Sequence, residues 1–268
     1  MLQLEDLHAE CCTHPASSIE HPASLPNLID DEDLDKLIDR LLRSIFKNRT
    51  IADAPQKLKQ YFIEQLTEAL HEGYGATLDD IDFDTPNYKM LEALQEDVVK
   101  FSAAKNDVMN RAIARELIGP DGLLREWKEF KIAALQITND HTEAFLKAEY
   151  NLAIVSSQAA AKWVQIEEDA EDLPVLEFDA VMDGHTTEIC RNFNGIRLPI
   201  THQFWDLYYI PNHYGERSLI KQDVDNGKLT DTSTIIYPDK IPQIFRVNLA
   251  KEKMVFPPGH PYYGGKHG

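Results

Sequence analysis

The chain has 268 residues, 43% of them apolar, which is enough to bury a core in one large domain or two small ones and excludes disorder throughout. Its 45 acidic side chains outnumber 27 basic ones, and the resulting net charge of −18 repels nucleic-acid backbones and weighs against direct DNA binding. Three cysteines cannot build a disulfide framework, and no stretch approaches the roughly 18 apolar residues that cross a bilayer. The opening residues carry no basic segment followed by an apolar run, so no export signal and a reducing compartment are expected.

Residues 1–28 scatter His8, Cys11, Cys12, His14 and His21 among Pro15, Pro22 and Pro26, a composition that predicts an extended arm. Cys11-Cys12-x-His14 matches no common zinc spacing and is not read as a metal site. From Asp33 onward Leu34, Leu37, Ile38, Leu41, Leu42, Ile45 and Phe46 recur at three- and four-residue steps, one apolar face of a helix. The basic side chains between Lys36 and Arg49 alternate with those apolar positions and read as a solvated face. A second helix is predicted from near Pro55 through Leu58, Tyr61, Phe62, Leu66, Ala69 and Leu70, ended by Gly73 and Gly75.

After a turn-like stretch over 79–87, Leu91, Leu94, Val98, Phe101, Val108, Ile113 and Leu117 mark a long helix stopped by Gly119-Pro120. A further helix is read through Leu123, Trp127, Phe130, Ala134 and Ile137, and another through Phe145, Ala148, Leu152, Val155, Ala159, Trp163 and Ile166. An acidic run at Glu167–Asp172 closes this helical part, and beyond Pro174 the chain is richer in Pro, Gly and Tyr. Strands are predicted at Leu176–Val181, Ile235–Tyr237 and Ile244–Leu249. Most of the negative charge falls early: residues 1–150 carry 16 basic and 29 acidic side chains. The Pro-, Gly- and aromatic-rich tail from Phe256 to Gly265 reads equally as a segment docking on a neighbour or as a chain end lying over its own domain.

The chemistry-bearing residues crowd into one stretch. Leu146-Lys147-Ala148-Glu149-Tyr150 is followed by Asp183-Gly184-His185-Thr186-Thr187-Glu188-Ile189-Cys190, then Asn194-Gly195, Trp205 and Pro211-Asn212-His213-Tyr214-Gly215-Glu216-Arg217-Ser218. In this order the segments resemble the phage Mu F-like family of head morphogenesis, or minor capsid, proteins of tailed bacteriophages, over about residues 110–225. Two positions depart from the family pattern: Ile210-Pro211 stands where two prolines are usual, and Glu216 where a cysteine usually precedes Arg217. The second departure removes the usual partner of Cys190, so no thiol pairing carries over, and Cys190 is read as a small buried hydrophobe.

The residues have a physical reading of their own. Asp183 and Thr186 have the spacing of a side chain capping a turn or a helix start, with Glu188 placed to favour that end. Asn194-Gly195 suits a turn needing positive φ, which predicts a strand–turn–strand element over Arg191–Pro199. Pro211 and Asn212 fix a non-helical backbone before His213, and Arg217 offers a fork of donors to a carboxylate such as Asp183. His185, Cys190, His202, His213 and Glu216 lie within 32 positions, so a metal-dependent hydrolase or nuclease centred on His185, Cys190, His213 and Glu216 is the alternative. A Cys190–His213 nucleophile–base pair lacks an evident oxyanion element or orienting third group, and no phosphate-binding loop is present.

The expected architecture is α+β: the arm 1–28, a domain of long packed helices over 29–169, and a small α+β domain over 170–268. The resemblance implies a non-enzymatic virion component with no cofactor and no metal. It would sit inside the capsid near the portal, in the host cytoplasm during assembly, and bind the portal and other head proteins while heads assemble and DNA is packaged or delivered. Asp183, Thr186, Cys190, Asn194, Gly195, Pro211, Asn212, His213 and Arg217 are its structural motif.

Overall fold

The computed structural model describes residues 31–238 and 241–264; the arm expected over 1–28 lies outside them. Among the described residues five long helices come first: α1 (Asp31–Asn48), α2 (Lys57–Tyr74), α3 (Pro86–Arg115), α4 (Trp127–Thr142) and α5 (Ala144–Glu168). Strands β1 (Val175–Asp179), β2 (Arg197–Pro199) and β3 (Leu219–Asp223) follow, with the short helices α6 (Glu188–Phe193) and α7 (Phe204–Tyr208) between them. The fold is therefore α+β. By packing, the described chain falls into two compact units, one of residues 31–68 with 98–150, the other of residues 69–97 with everything from 151 onward. This division crosses the change of composition at residue 170, because the sheet's unit also holds helical stretches. Asp97 of α3 accepts the backbone N–H groups of Val255 (2.9 Å) and Phe256 (3.0 Å), and the Tyr209 hydroxyl donates to the Ala159 carbonyl of α5.

In the all-helical unit, α1 buries Ile38, Leu41, Leu42 and Ile45, the i, i+3, i+4, i+7 stripe read from sequence. It meets α4 through Phe46, whose ring stands edge-on to Trp127 at 5.2 Å, and through Lys131, whose ammonium lies 3.0 Å from Asp39. Deeper in the same unit the Lys105 ammonium of α3 sits 2.5 Å from the Glu149 carboxylate of α5, both side chains fully buried. Burial lowers the Lys105 pKa, and the Glu149 charge beside it opposes that shift.

In the other unit β1 is the central strand, antiparallel to β2 on one side and β3 on the other. It is buried at Val175, Leu176 and Phe178, as a strand flanked on both edges and packed on a core should be. Phe178 opens a chain of edge-to-face rings through Phe193, Phe204 and Trp205, and Trp163 of α5 packs edge-on to Tyr209 at 4.8 Å. Gly73 lets α2 approach α5: a Cβ there would overlap the Ile154 carbonyl and the Ser157 hydroxyl.

Several local expectations are corrected. Leu123 precedes α4 and is exposed, because Gly119, Asp121 and Gly122 form a turn closed by an Ile118–Leu124 bridge. Ile235–Tyr237 is not a strand: Asp231 caps a 3₁₀ turn at Thr232–Thr234, and Ile236 and Tyr237 stay exposed with no face to bury. Ile244–Leu249 is not a strand either. Pro242 leads into a 3₁₀ turn at Gln243–Phe245, and the Asn248 backbone N–H donates to Asp206 rather than to a ladder. The tail lies over its own unit, with Phe256, His260 and Tyr262 buried and His260 Nε2 3.1 Å from the Tyr214 hydroxyl.

Candidate functional site

The register of the sheet builds the site. Asp179, the last residue of β1, pairs with Leu219, the first of β3, so the chain leaving β1 and the chain entering β3 emerge side by side. Those two segments, 180–187 and 211–218, carry six of the nine motif residues, and Cys190, Asn194 and Gly195 follow on α6 and its end. The first leads into α6, whose N-cap is Thr187: its Oγ1 accepts the Cys190 N–H at 3.3 Å. The expected caps, Asp183 and Thr186, act one turn earlier. The Asp183 carboxylate accepts the His185 N–H at 2.8 Å, and Thr186 Oγ1 donates to the Val181 carbonyl at 2.5 Å.

Asn194-Gly195 ends a helix instead of turning a hairpin. Residues 188–193 are helical, Asn194 N–H closes onto the Cys190 carbonyl, and Gly195 takes φ 79°. The positive φ read from sequence is present; the strand before it is not. Threonine followed by glutamate starts a helix there, and Ile189, Cys190 and Phe193 give that helix a buried side. Asn194 Oδ1 also accepts the Ala180 N–H, tying the helix end to the exit of β1.

Across the site, Arg217 reaches Asp183 with both ends of its fork, Nη1 to Oδ2 and Nη2 to Oδ1, each at 2.8 Å. The guanidinium and the His185 N–H hold the Asp183 carboxyl far below the usual carboxylate range. Pro211 and Asn212 are buried, the Ile210–Pro211 bond is cis, and the Asn212 amide donates to the Tyr208 carbonyl. Glu216 is buried, with Oε2 accepting both the backbone N–H and the side-chain amide of Asn212.

Three ligand-type atoms converge beneath this clasp. Cys190 Sγ lies 3.2 Å from His213 Nε2 and 3.5 Å from Glu216 Oε1, and one such atom from each of the three residues falls within 4.8 Å of the others. His213 Nδ1 is 2.7 Å from the Tyr214 carbonyl, which only a protonated Nδ1 satisfies, and Nε2 faces Cys190. Thr187 Oγ1 approaches the same Nε2 at 3.2 Å and Sγ at 3.3 Å. Burial, with the nearby Glu216 charge, pushes the Cys190 thiol up to about 12. A small hollow of about 20 Å³, room for a water, opens onto Cys190 and His213 and is also lined by His185, Thr186, Thr187 and Arg217.

Of the four metal candidates, three meet and His185 stays outside the cluster, exposed on the hollow's rim. His202 is elsewhere: its Nδ1 accepts the Phe204 N–H at the start of α7. Glu216 does face Cys190. Thr187 was missed as the cap because Thr186 beside it offers the same chemistry in sequence. Comparison with family models, curated proteins and solved structures found no match to this chain. Among the described residues, no helix is long and apolar enough to cross a membrane.

Proposed function

We propose that this chain is a minor capsid, or head morphogenesis, protein of a tailed bacteriophage that binds the portal or other head proteins during capsid assembly and DNA packaging or delivery. One observation supports the reading most. Two of the separated segments that resemble the phage Mu F-like pattern, Asp183–Cys190 and Pro211–Ser218, come together as one clasp, in which Arg217 grips Asp183 and His213 meets Thr187 and Cys190. Bonds within a motif hold a small domain in shape, a task suited to a binding protein. The acidic surface implied by a net charge of −18 would keep such a protein from adhering to packaged DNA. Co-expression of the tagged full chain with the portal protein of the same phage genome tests the role: a stoichiometric complex is expected, and a portal that never co-purifies contradicts it.

A metal-dependent hydrolase or nuclease is the second reading, favoured by the Cys190–His213–Glu216 cluster beside its hollow. It calls for phosphodiester or ester hydrolysis that His213→Ala abolishes. Hydrolysis equal in the variant, or absent from the pure protein, removes it.

A further inference from the structure

We infer that Cys190, His213 and Glu216 form a binding site for a single zinc-class divalent transition ion, with the fourth position filled by a water from the adjoining hollow. The inference concerns binding alone and holds or fails apart from the assembly role.

Three atoms of the right chemistry converge. His213 spends its Nδ1–H on the Tyr214 carbonyl, so Nε2 is the ring atom available to a metal ion. Four close contacts then surround the cluster: Thr187 Oγ1 to Sγ, Thr187 Oγ1 to Nε2, Sγ to Nε2, and Sγ to Glu216 Oε1. Sγ, Nε2 and Oε1 are the three atoms of this cluster that can each give a lone pair to one centre. A cation that takes the place of the thiol proton gives Sγ, Nε2 and Oε1 a common partner, and the displaced proton leaves to solvent.

Zinc–sulfur bonds of about 2.3 Å and zinc–nitrogen or zinc–oxygen bonds of about 2.0–2.2 Å place tetrahedral ligands roughly 3.4–3.6 Å apart. The Sγ–Nε2 and Sγ–Oε1 separations, 3.2 and 3.5 Å, are already near that edge length. The remaining pair lies within 4.8 Å and closes by roughly an ångström of side-chain movement.

Support also comes from outside the ligands. The Tyr214 carbonyl fixes the His213 tautomer, and Asn212 fixes Glu216 through its far oxygen, Oε2, leaving Oε1 toward Cys190. One sulfur, one imidazole nitrogen and one carboxylate oxygen suit zinc or cobalt and are a poor set for magnesium or calcium. The ion would staple α6 to the segment entering β3.

Titration of the metal-free full chain with Co²⁺ reads this directly. One equivalent is expected to bind and to give a thiolate-to-cobalt charge-transfer band that excess Zn²⁺ abolishes. Cys190→Ser is expected to remove the band and Glu216→Gln to weaken binding at least tenfold, whereas Cys11→Ser with Cys12→Ser leaves both unchanged. Zinc is also expected to raise the Tm of the wild-type chain, so the site stays testable if Cys190→Ser folds poorly. No band and no rise in Tm for the wild-type chain would overturn the inference. So would a band that survives Cys190→Ser and disappears with the Cys11 and Cys12 substitutions.

Discussion

Asp183 and Arg217 show at the scale of single residues how the clasp is held. Their paired bonds favour the carboxylate, so the folded-state pKa of Asp183 lies well below its ordinary value. A depressed carboxylate contributes stability above its unfolded pKa and loses it as pH falls from there toward the folded value. Acid titration is therefore expected to destabilise the wild-type chain below about pH 4, with a shallower dependence in Arg217→Ala; identical profiles would count against the pair. Lys105 and Glu149 pose the opposite case, an ion pair wholly removed from water. Lys105→Met alone takes the ammonium from beside a buried carboxylate and should cost about 3–5 kcal/mol, measurable by denaturant unfolding. Combining it with Glu149→Leu should recover most of that loss. A double variant as unstable as the single would mean that the pair does more than neutralise itself.

At the scale of elements, the long helices were legible because each repeats a buried stripe over many turns, as Ile38, Leu41, Leu42 and Ile45 do in α1. The short elements were not. β3 has only Ile220 buried, beside exposed Leu219 and Lys221, so its pattern carries too little signal to be read alone. Asn194-Gly195 announced positive φ correctly, but a helix C-terminus and a hairpin need the same glycine, and sequence does not choose between them. The nearness of Glu216 to Cys190 is not legible in sequence either: the pairing of Asp179 with Leu219 brings the two segments side by side. Two element-scale outcomes follow. Gly73→Ala should destabilise by about 1–3 kcal/mol, since its Cβ meets backbone of α5 that cannot swing away. Thr187→Ala should cost about 1 kcal/mol as a lost N-cap. Thermal melting checks both, and a neutral Gly73→Ala would show that the two helices separate freely.

The molecule comprises a helical unit that holds the buried Lys105–Glu149 pair and a unit built on a three-stranded sheet, and it carries a strong negative charge. Charge of that sign opposes duplex DNA, so the pure protein should show no sub-micromolar, salt-sensitive affinity in a filter-binding titration. Such affinity would remove the acidic-surface argument while leaving the clasp intact. The assembly role is tested most directly by quantitative mass spectrometry of purified phage particles from the genome that encodes this chain. It is expected in DNA-filled heads, and particles made without its gene are expected to be defective in packaging or delivery. Purified, infectious particles that lack the chain altogether would contradict that role.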